Sequence, residues 1–460
     1  MLEYLENQPR LTGNQGRLLF VAILCNLLEF YDLFMVGFVL AFVAGPWKLT
    51  YGQSAIILLS SGIGAILGAG FWGWLADRIG RRKVLVATVI NFSVGTGILA
   101  LTPENGWVFL TVFRFFVGVG VGGLYCVVLP LVQEFMPDAK RGVATGLVTA
   151  AVPVGLGLGA VLGAYVGPIV GWRGLFALGL LPVPLILLIR AWMPESPHWL
   201  MRAGRAQDAR ESLAWALEIS PQQIPLPGSE IEQRPVAWHE IFQYPRSIAV
   251  SWLGNLAAQT GVYALYLWVP TLFMQVLKTS PARASYLVAY CSAGAFLGRI
   301  AFAFLSEAIG RRASGVVYGF GSAVLVILAA YMRNMFLGAV SVFWLLLIAT
   351  YFFADGGFAV IGPYAAEVWP SRLRASGMGS AYGFGGIGKI IGPLGLALIV
   401  GSSDIIKPEA SVAKIVPAFI YLGVWFALAG IVYGFFGIET KGQSIRQIDY
   451  ELAAAPRDST

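Results

Sequence analysis

Gly73-Trp74-Leu75-Ala76-Asp77-Arg78-Ile79-Gly80-Arg81-Arg82-Lys83 closes one long apolar stretch and opens the next. A weaker copy, Ala303-Phe304-Leu305-Ser306-Glu307-Ala308-Ile309-Gly310-Arg311-Arg312, does the same further along the chain. A second landmark also recurs. Glu134-Phe135-Met136-Pro137-Asp138-Ala139-Lys140-Arg141 ends the fourth apolar stretch, and Glu367-Val368-Trp369-Pro370-Ser371-Arg372-Leu373-Arg374 ends the tenth, with Glu, Pro and the final Arg at the same spacing. Upstream, Pro130 matches Pro363 and Gly123 matches Gly356. Two independent landmarks at nearly the same offset mark the chain as a duplication of one membrane unit. Parallel six-helix halves with a substrate site between them are a transporter architecture.

Composition agrees. Charged residues make up 12 % of the 460, against roughly 25 % in soluble domains. Hydrophobic residues make up 57 %, aromatic residues 13 %, and the mean hydropathy is +0.74. That much apolar surface excludes a soluble domain and predicts many membrane spans. Cys25, Cys126 and Cys291 all lie in apolar runs, which excludes a disulfide framework. The net charge of +7 is carried in short loops, where it sets topology and is no nucleic-acid signal. Residues 1–16 are polar, and the first apolar run is too long for a cleaved signal and ends without a small-residue cleavage site, so it is expected to stay as the first span.

A span needs about 20 apolar residues. Spans are predicted near 18–43, 53–76, 84–102, 107–132, 142–166 and 172–192, then near 246–276, 283–308, 314–332, 337–366, 376–401 and 414–437. The domain reading is an N-terminal six-helix bundle (1–192), a cytoplasmic linker (193–245) that holds short helices, and a C-terminal six-helix bundle with a tail (246–460). Alternate loops collect Arg10 and Arg17, Arg78 to Lys83, Lys140 and Arg141, Arg202 to Arg210, Arg311 and Arg312, Arg372 and Arg374, then Lys441 and Arg446. By the Lys/Arg bias that side is cytoplasmic and both termini face it.

At these residues the chain resembles the major facilitator superfamily. Gly73 to Lys83 fits its loop 2–3 motif, G-x-L-A-D-R-x-G-R-R-K, at every fixed position. Pro194-Glu195-Ser196-Pro197-His198-Trp199-Leu200 looks like the family's PESPRWL signature, and Glu439-Thr440-Lys441-Gly442 resembles its ETKG signature. Sugar porters, organic-ion transporters and bacterial organic-acid symporters share both. Glu29-Phe30-Tyr31-Asp32 resembles the first-span signatures of bacterial metabolite:proton and aromatic-acid:proton symporters. Tyr263-Ala264-Leu265-Tyr266-Leu267-Trp268-Val269-Pro270 looks like the seventh span of the aromatic-acid group. Gly388-Lys389-Ile390-Ile391-Gly392-Pro393 resembles its eleventh-span G-R-x-G-x-x-x-P region, with Lys in place of Arg and the second Gly replaced. The QLS and QQ-type signatures of sugar porters are not evident. The resemblance implies an all-α integral membrane protein with twelve transmembrane helices in two pseudo-symmetric halves. It also implies a monomer among membrane lipids, in a cell membrane such as the bacterial inner membrane, that takes a small-molecule substrate and protons and needs no cofactor.

Six charged residues fall inside the predicted spans: Glu29, Asp32, Arg114, Arg299, Asp355 and Lys389. Each costs about 2.5–3.5 kcal/mol at a helix centre, so each must face the bundle interior or a wet cavity. Glu29 and Asp32 are three apart and share one face of the first span. Two carboxylates so close in a poorly solvated cavity resist ionising together, which suits a proton carrier; structural pairing with an Arg is the alternative. Arg114 and Asp32 differ in depth by roughly 6 Å, a gap side chains can close, and Arg114 to Gly120 resembles the R-x-x-x-G-x-G motif of proton-coupled members. On that reading, protonating Asp32 frees Arg114. Lys389, amid glycines in the eleventh span, is the expected partner of an anionic substrate; its alternative is an internal pair with Asp355. Arg299 reads as a secondary cavity charge or gate residue. Tyr31, Tyr125, Tyr263, Tyr266 and Trp268 can line a cavity for a planar ligand or simply pack. Asn255 and Gln259, four apart, can hydrogen-bond substrate or a neighbouring helix.

The cytoplasmic motifs read as gates. Asp77 is expected to cap a helix or pair with a basic residue, flanked by Arg78, Arg81 and Arg82, and Glu307 stands in its place in the second copy. Glu134 with Arg141, and Glu367 with Arg374, are expected to pair across short loops; a plain topology signal is the alternative reading of the basic residues. His198 and His239 lie outside the spans and are expected to be solvated. No metal-ligand cluster, phosphate-binding loop or nucleophile triad appears in the sequence, so no enzyme is expected. The leading reading is a proton-coupled symporter of a small organic anion. Transport of a neutral sugar or zwitterion, and a non-transporting sensor, are the rivals.

Overall fold

A hydrocarbon environment leaves each backbone amide to be satisfied inside the protein, so the apolar stretches become helices. The computed structural model describes residues 10–226, 238–370, 373–400 and 414–441, with Leu5 and Gln8. The side chains of Tyr125, Asp138, Ala139, Ala366, Arg374 and Ala375 lie outside that description. The first helices are α1 (Gly13–Val43), α2 (Tyr51–Ile79), α3 (Arg81–Leu99), α4 (Trp107–Phe135) and α5 (Asp138–Val161). Two of them start with reciprocal capping boxes. The Thr12 and Thr50 hydroxyls accept from the Gln15 and Gln53 amides (3.1 and 3.2 Å), and the Gln side chains accept from the Thr amides (2.9 Å each). The cap at Thr12 explains why α1 begins before its apolar core.

Eleven described stretches are long and apolar enough to cross a membrane, and one of them, Lys140–Trp192, runs 53 residues. At 1.5 Å per residue that is about 80 Å, far more than the ~30 Å hydrocarbon core. The stretch divides inside α6 (Gly167–Ala177) at Gly171, whose φ of 67° and ψ of −179° end one helix and begin the next. Glycine takes this conformation without strain. The division restores the fifth and sixth spans and the count of twelve. Pro182 and Pro184 then interrupt the sixth span before α7 (Leu185–Trp192). Two short helices follow, α8 (Pro197–Arg202) and α9 (Ala206–Leu217), and Leu213 and Ala214 of α9 pack with Leu5 and Ile224.

The later helices are α10 (Pro245–Ile248), α11 (Gly254–Leu277), α12 (Pro281–Ile309), α13 (Arg311–Tyr331), α14 (Val342–Glu367), α15 (Arg374–Gly386), α16 (Gly388–Val400) and α17 (Ile415–Phe436). One feature was not foreseen. A small antiparallel hairpin, β1 (Phe336–Leu337) with β2 (Val340–Ser341), links α13 to α14. In the eleventh span α15 and α16 join at Ile387, whose backbone stays helical (φ −58°, ψ −31°), so Ser376–Val400 forms one span with Lys389 near its middle.

Contacts divide the chain into two units, Met1–Val39 with Ser60–Gln233, and Leu40–Leu59 with Arg234–Thr460. Leu40–Leu59 belongs to the second unit through contacts such as Tyr51, whose hydroxyl donates to Gln275 (2.9 Å) and whose ring lies 5.8 Å from that of Trp268. The α8–α9 segment, read from sequence as part of a linker, clusters with the first unit. In each unit a glycine lets two helix backbones touch beside a buried charge. A Cβ on Gly118 of α4 would strike the Ser61 backbone of α2, and one on Gly298 of α12 would strike the Phe352 backbone of α14. Exposed Leu67, Phe71, Trp74, Phe304 and Phe435 give these helices apolar outer faces.

Candidate functional site

In the first unit the contact at Gly118 sets Arg114 against α1 and α2. Arg114 is fully buried, as is Asp32, and Glu29 is nearly so. The Arg114 guanidinium donates from Nε to Ser61 Oγ (2.9 Å), from Nη1 to the Asp32 carbonyl (3.2 Å) and from Nη2 to the Leu33 carbonyl (2.9 Å). Its Nη1 lies 3.9 Å from Asp32 Oδ2, an ion pair at longer range. The sequence reading expected protonation of Asp32 to free Arg114. In the structure Arg114 is held by three acceptors besides the Asp32 carboxylate. The carboxylate oxygens of Asp32 find no hydrogen-bond partner among the described residues, and Oδ1 faces Gly179 and Thr96. Tyr31 is fully buried on the same helix, and its hydroxyl is likewise unpartnered among the described residues.

In the second unit the contact at Gly298 brings Arg299 onto Asp355. Arg299 Nε donates to Asp355 Oδ2 (2.6 Å) and Nη2 to Oδ1 (3.2 Å), and the Tyr266 hydroxyl donates to Oδ1 (2.6 Å). Tyr266 stacks on Tyr351, with ring centroids 4.9 Å apart, and the guanidinium lies over the Phe358 ring. The alternative reading, an internal Lys389–Asp355 pair, is not what the structure holds: Asp355 is taken by Arg299 and Tyr266. Arg299 is correspondingly one half of a buried bidentate pair. Lys389 lies outside the ion pairs among the described residues, and its Nζ sits 5.0 Å from the centroid of the Tyr263 ring. A cation over an aromatic face is attracted by the ring quadrupole.

The remaining candidates separate. Trp268 is fully buried, its indole donating to the Pro393 carbonyl (3.2 Å) and its ring facing Tyr51, so it packs the unit. Asn255 Nδ2 donates to the Ser251 carbonyl one turn earlier (2.9 Å), and its buried Oδ1 has no partner among the described residues. Gln259 lies beside Gly385. The side chain of Tyr125 lies outside the described residues. The two ion pairs are not repeat images. In the register that matches Glu134 with Glu367, Asp355 falls on Gly122 and Arg114 on Leu347.

What does repeat is a polar clamp on the short loops. In the first unit Arg81 pairs with Glu134, and Ser196 donates to the other oxygen of the same carboxylate. Glu195 accepts the Arg82 amide (3.0 Å) just after Gly80, whose φ is 103°. In the second unit Arg311 pairs with Glu367 (3.5 Å), and Thr440 donates to the same Glu367 oxygen (2.5 Å). Glu439 accepts the amides of Arg311 (2.9 Å) and Arg312 (3.2 Å) just after Gly310, whose φ is 94°. Each carboxylate thus caps the opening turn of a helix. Glu195-Ser196 and Glu439-Thr440 hold the same posts in the two units, a relation missed from sequence. The legible signal was an acid followed by a hydroxyl residue directly behind the last span of each half.

The partners expected for these gate residues also differ. The Nε of Arg141, foreseen on Glu134, donates to the carbonyls of Gln133 (2.9 Å) and Met136 (3.1 Å). The side chain of Arg374 lies outside the described residues. Glu307 pairs with Arg311 (2.7 Å), and Arg78 lies 4.0 Å from the Trp74 ring centroid. Asp77 is exposed, and its carbonyl accepts the Trp199 indole (2.9 Å). Arg82 also donates to the Arg190 carbonyl (2.5 Å). His198, expected to be solvated, is half-buried beside Glu134 and Arg81; burial holds its imidazole below the ordinary pKa, with the neighbouring guanidinium groups acting in the same direction. Glu134→Gln is expected to cost about 1.5–3 kcal/mol of local stability, the range for hydrogen bonds to charged groups. Hydrogen exchange should then quicken in α8 and around Gly80, with the rest of the unit unchanged. Unaltered protection there would show that the clamp is not stabilising.

Comparison with known proteins adds to this geometry. The family described as "Sugar (and other) transporter" matches residues 18–452. The chain is 28 % identical over 388 residues to a niacin transporter of Acinetobacter baylyi, covering 82 % of this chain and 85 % of that one. It is 27 % identical over 406 residues to a 4-hydroxybenzoate transporter of Pseudomonas putida, covering 86 % and 88 %. Among solved structures, the partially occluded inward-open xylose transporter XylE of E. coli resembles it with a TM-score of 0.70 at 18 % identity, over 94 % of this chain and 100 % of that one. At that identity the likeness shows the fold.

Proposed function

Because this chain belongs to the sugar (and other) transporter family of the major facilitator superfamily, we propose that it is a proton-coupled symporter of a small aromatic carboxylate. The observation that carries the anion reading is Lys389, a membrane-embedded ammonium outside the ion pairs among the described residues, resting on the face of Tyr263. A cation in an apolar cavity attracts an anion and repels a cation. Tyr263 beside it offers a ring face to a planar ligand. Niacin and 4-hydroxybenzoate, named for two of the relatives, are both planar aromatic carboxylates.

Asp32 is the proposed proton carrier, with Glu29 on the same face of α1 and Arg114 as the fixed charge beside it. A proton on Asp32 removes one buried negative charge, which makes the passage of one monoanion with one proton electrically balanced. The clamp residues around Glu134 and Glu367, with Asp77 and Arg78, are proposed as the gate that makes and breaks as the cavity changes sides. The Lys/Arg distribution supports a cell membrane with both termini in the cytoplasm. The protein is proposed to act as a monomer.

The test is thermal stability of the purified protein with 4-hydroxybenzoate, nicotinate, xylose or glycine betaine, each at two pH values. A ligand at a hundred times its Kd stabilises the native state by about 2.7 kcal/mol. The carboxylates should raise the midpoint more at the lower pH, and xylose and betaine should not raise it. Stabilisation by xylose alone would establish the neutral-sugar reading instead.

A further inference from the structure

Arg299 and Asp355 cancel each other within the second unit. Their side chains are 8 % and 1 % exposed, and the pair is bidentate, at 2.6 and 3.2 Å, with the Tyr266 hydroxyl as a third contact on the carboxylate. Lys389 lies outside such pairs and rests on Tyr263. Tyr263 and Tyr266 are three residues apart on α11, on adjoining faces with a rise of about 4.5 Å between them. Along one stripe of α11, therefore, Tyr263 meets the ammonium of Lys389 on α16, and Tyr266, nearly a turn on, meets the Asp355 carboxylate that neutralises Arg299 of α12.

We infer that Asp355 determines specificity by keeping Arg299 out of the cavity's charge balance, so that the site accepts an anion with one carboxylate and rejects one with two. This rests on the reading of Lys389 as the substrate's partner. A planar dicarboxylate that places its first carboxylate at Lys389 would bring its second toward the Arg299–Asp355 pair. There it meets a guanidinium already engaged by Asp355 through Nε and Nη2 and a carboxylate of its own sign, and like charges in contact are penalised strongly. Without the negative charge of Asp355, Arg299 is a buried cation without its counter-ion, and the second ligand carboxylate is the group that can replace it. Asp355 thus acts through Arg299 and is a positioning residue.

The experiment is isothermal titration of the purified full-length protein with 4-hydroxybenzoate and with terephthalate, which share a ring and differ by one para charge. The parent protein should prefer 4-hydroxybenzoate. Asp355→Asn should move the ratio of affinities toward terephthalate by at least about tenfold, the lower end of measured coupling for close charge pairs. The neutral double variant Asp355→Asn with Arg299→Gln should restore the parent's preference. Should the single variant fail to fold, the double variant carries the test: retention of tight, selective 4-hydroxybenzoate binding supports a pair of zero net charge, and loss of that binding overturns it by making Arg299 a direct ligand contact. Two failures are distinguishable. If 4-hydroxybenzoate does not bind the parent, or binds Lys389→Ala equally well, the reading of Lys389 falls and this inference with it. If binding depends on Lys389 while Asp355→Asn keeps the parent's preference, this inference alone is overturned.

Discussion

Asp32→Asn is expected to reduce proton-driven accumulation of substrate to simple equilibration, while exchange of substrate across the membrane persists. The side chain is fully buried, its carboxylate oxygens find no hydrogen-bond partner among the described residues, and its charge faces Arg114 at 3.9 Å. A group in that setting changes its neighbourhood's charge by one unit when it takes a proton, and an amide cannot. Exchange should survive because Arg114 is anchored by Ser61 and by the Asp32 and Leu33 carbonyls, none of which the substitution removes. With one proton per monoanion, a gradient of one pH unit supports about tenfold accumulation, and the variant should lose all of it. Uptake into proteoliposomes, with and without an imposed gradient, reads both quantities. Full accumulation by Asp32→Asn and by Glu29→Gln would make both carboxylates structural.

The second large effect is at Lys389. Truncating one member of a buried charge-assisted contact costs about 2–5 kcal/mol, so Lys389→Ala should weaken binding of an aromatic carboxylate by roughly thirtyfold or more. Lys389→Arg should retain part of it, since the charge remains although its geometry differs. Tyr263→Phe keeps the ring face and should cost far less. Because Asp355 is engaged by Arg299, adding Asp355→Ala to Lys389→Ala is not expected to recover binding. Recovery in that double variant would mean that Lys389 serves a structural pair. Titration of each purified variant with 4-hydroxybenzoate measures all four values.

How much of this was legible depended on which physical rule was local. Span number and the duplication followed from apolar length and from paired motifs at Asp77 and Glu307 and at Glu134 and Glu367, because both are properties of contiguous sequence. That Asp32, Arg114, Arg299, Asp355 and Lys389 lie within the spans also followed, since charge in an apolar run is conspicuous. Which of them meet did not follow. Partner choice is set by helix rotation and approach, and the contact of Gly298 with the Phe352 backbone decides that Asp355 receives Arg299 and not Lys389. The clamps show the same limit. Glu195 and Glu439 were visible as signatures, but their shared task of capping the helices after Gly80 and Gly310 needs chain segments that are far apart in sequence. The break at Gly171, by contrast, was legible, because it falls between the predicted spans 142–166 and 172–192.

The most direct measurement of proton-coupled carboxylate transport is uptake of labelled 4-hydroxybenzoate into proteoliposomes under an inward proton gradient, corrected for protein-free vesicles. Accumulation above equilibrium that rises with the gradient, collapses with a protonophore, is lost in Asp32→Asn and is not competed by xylose is the predicted result. Uptake that reaches only equilibrium whatever the gradient, or that xylose displaces, would contradict it.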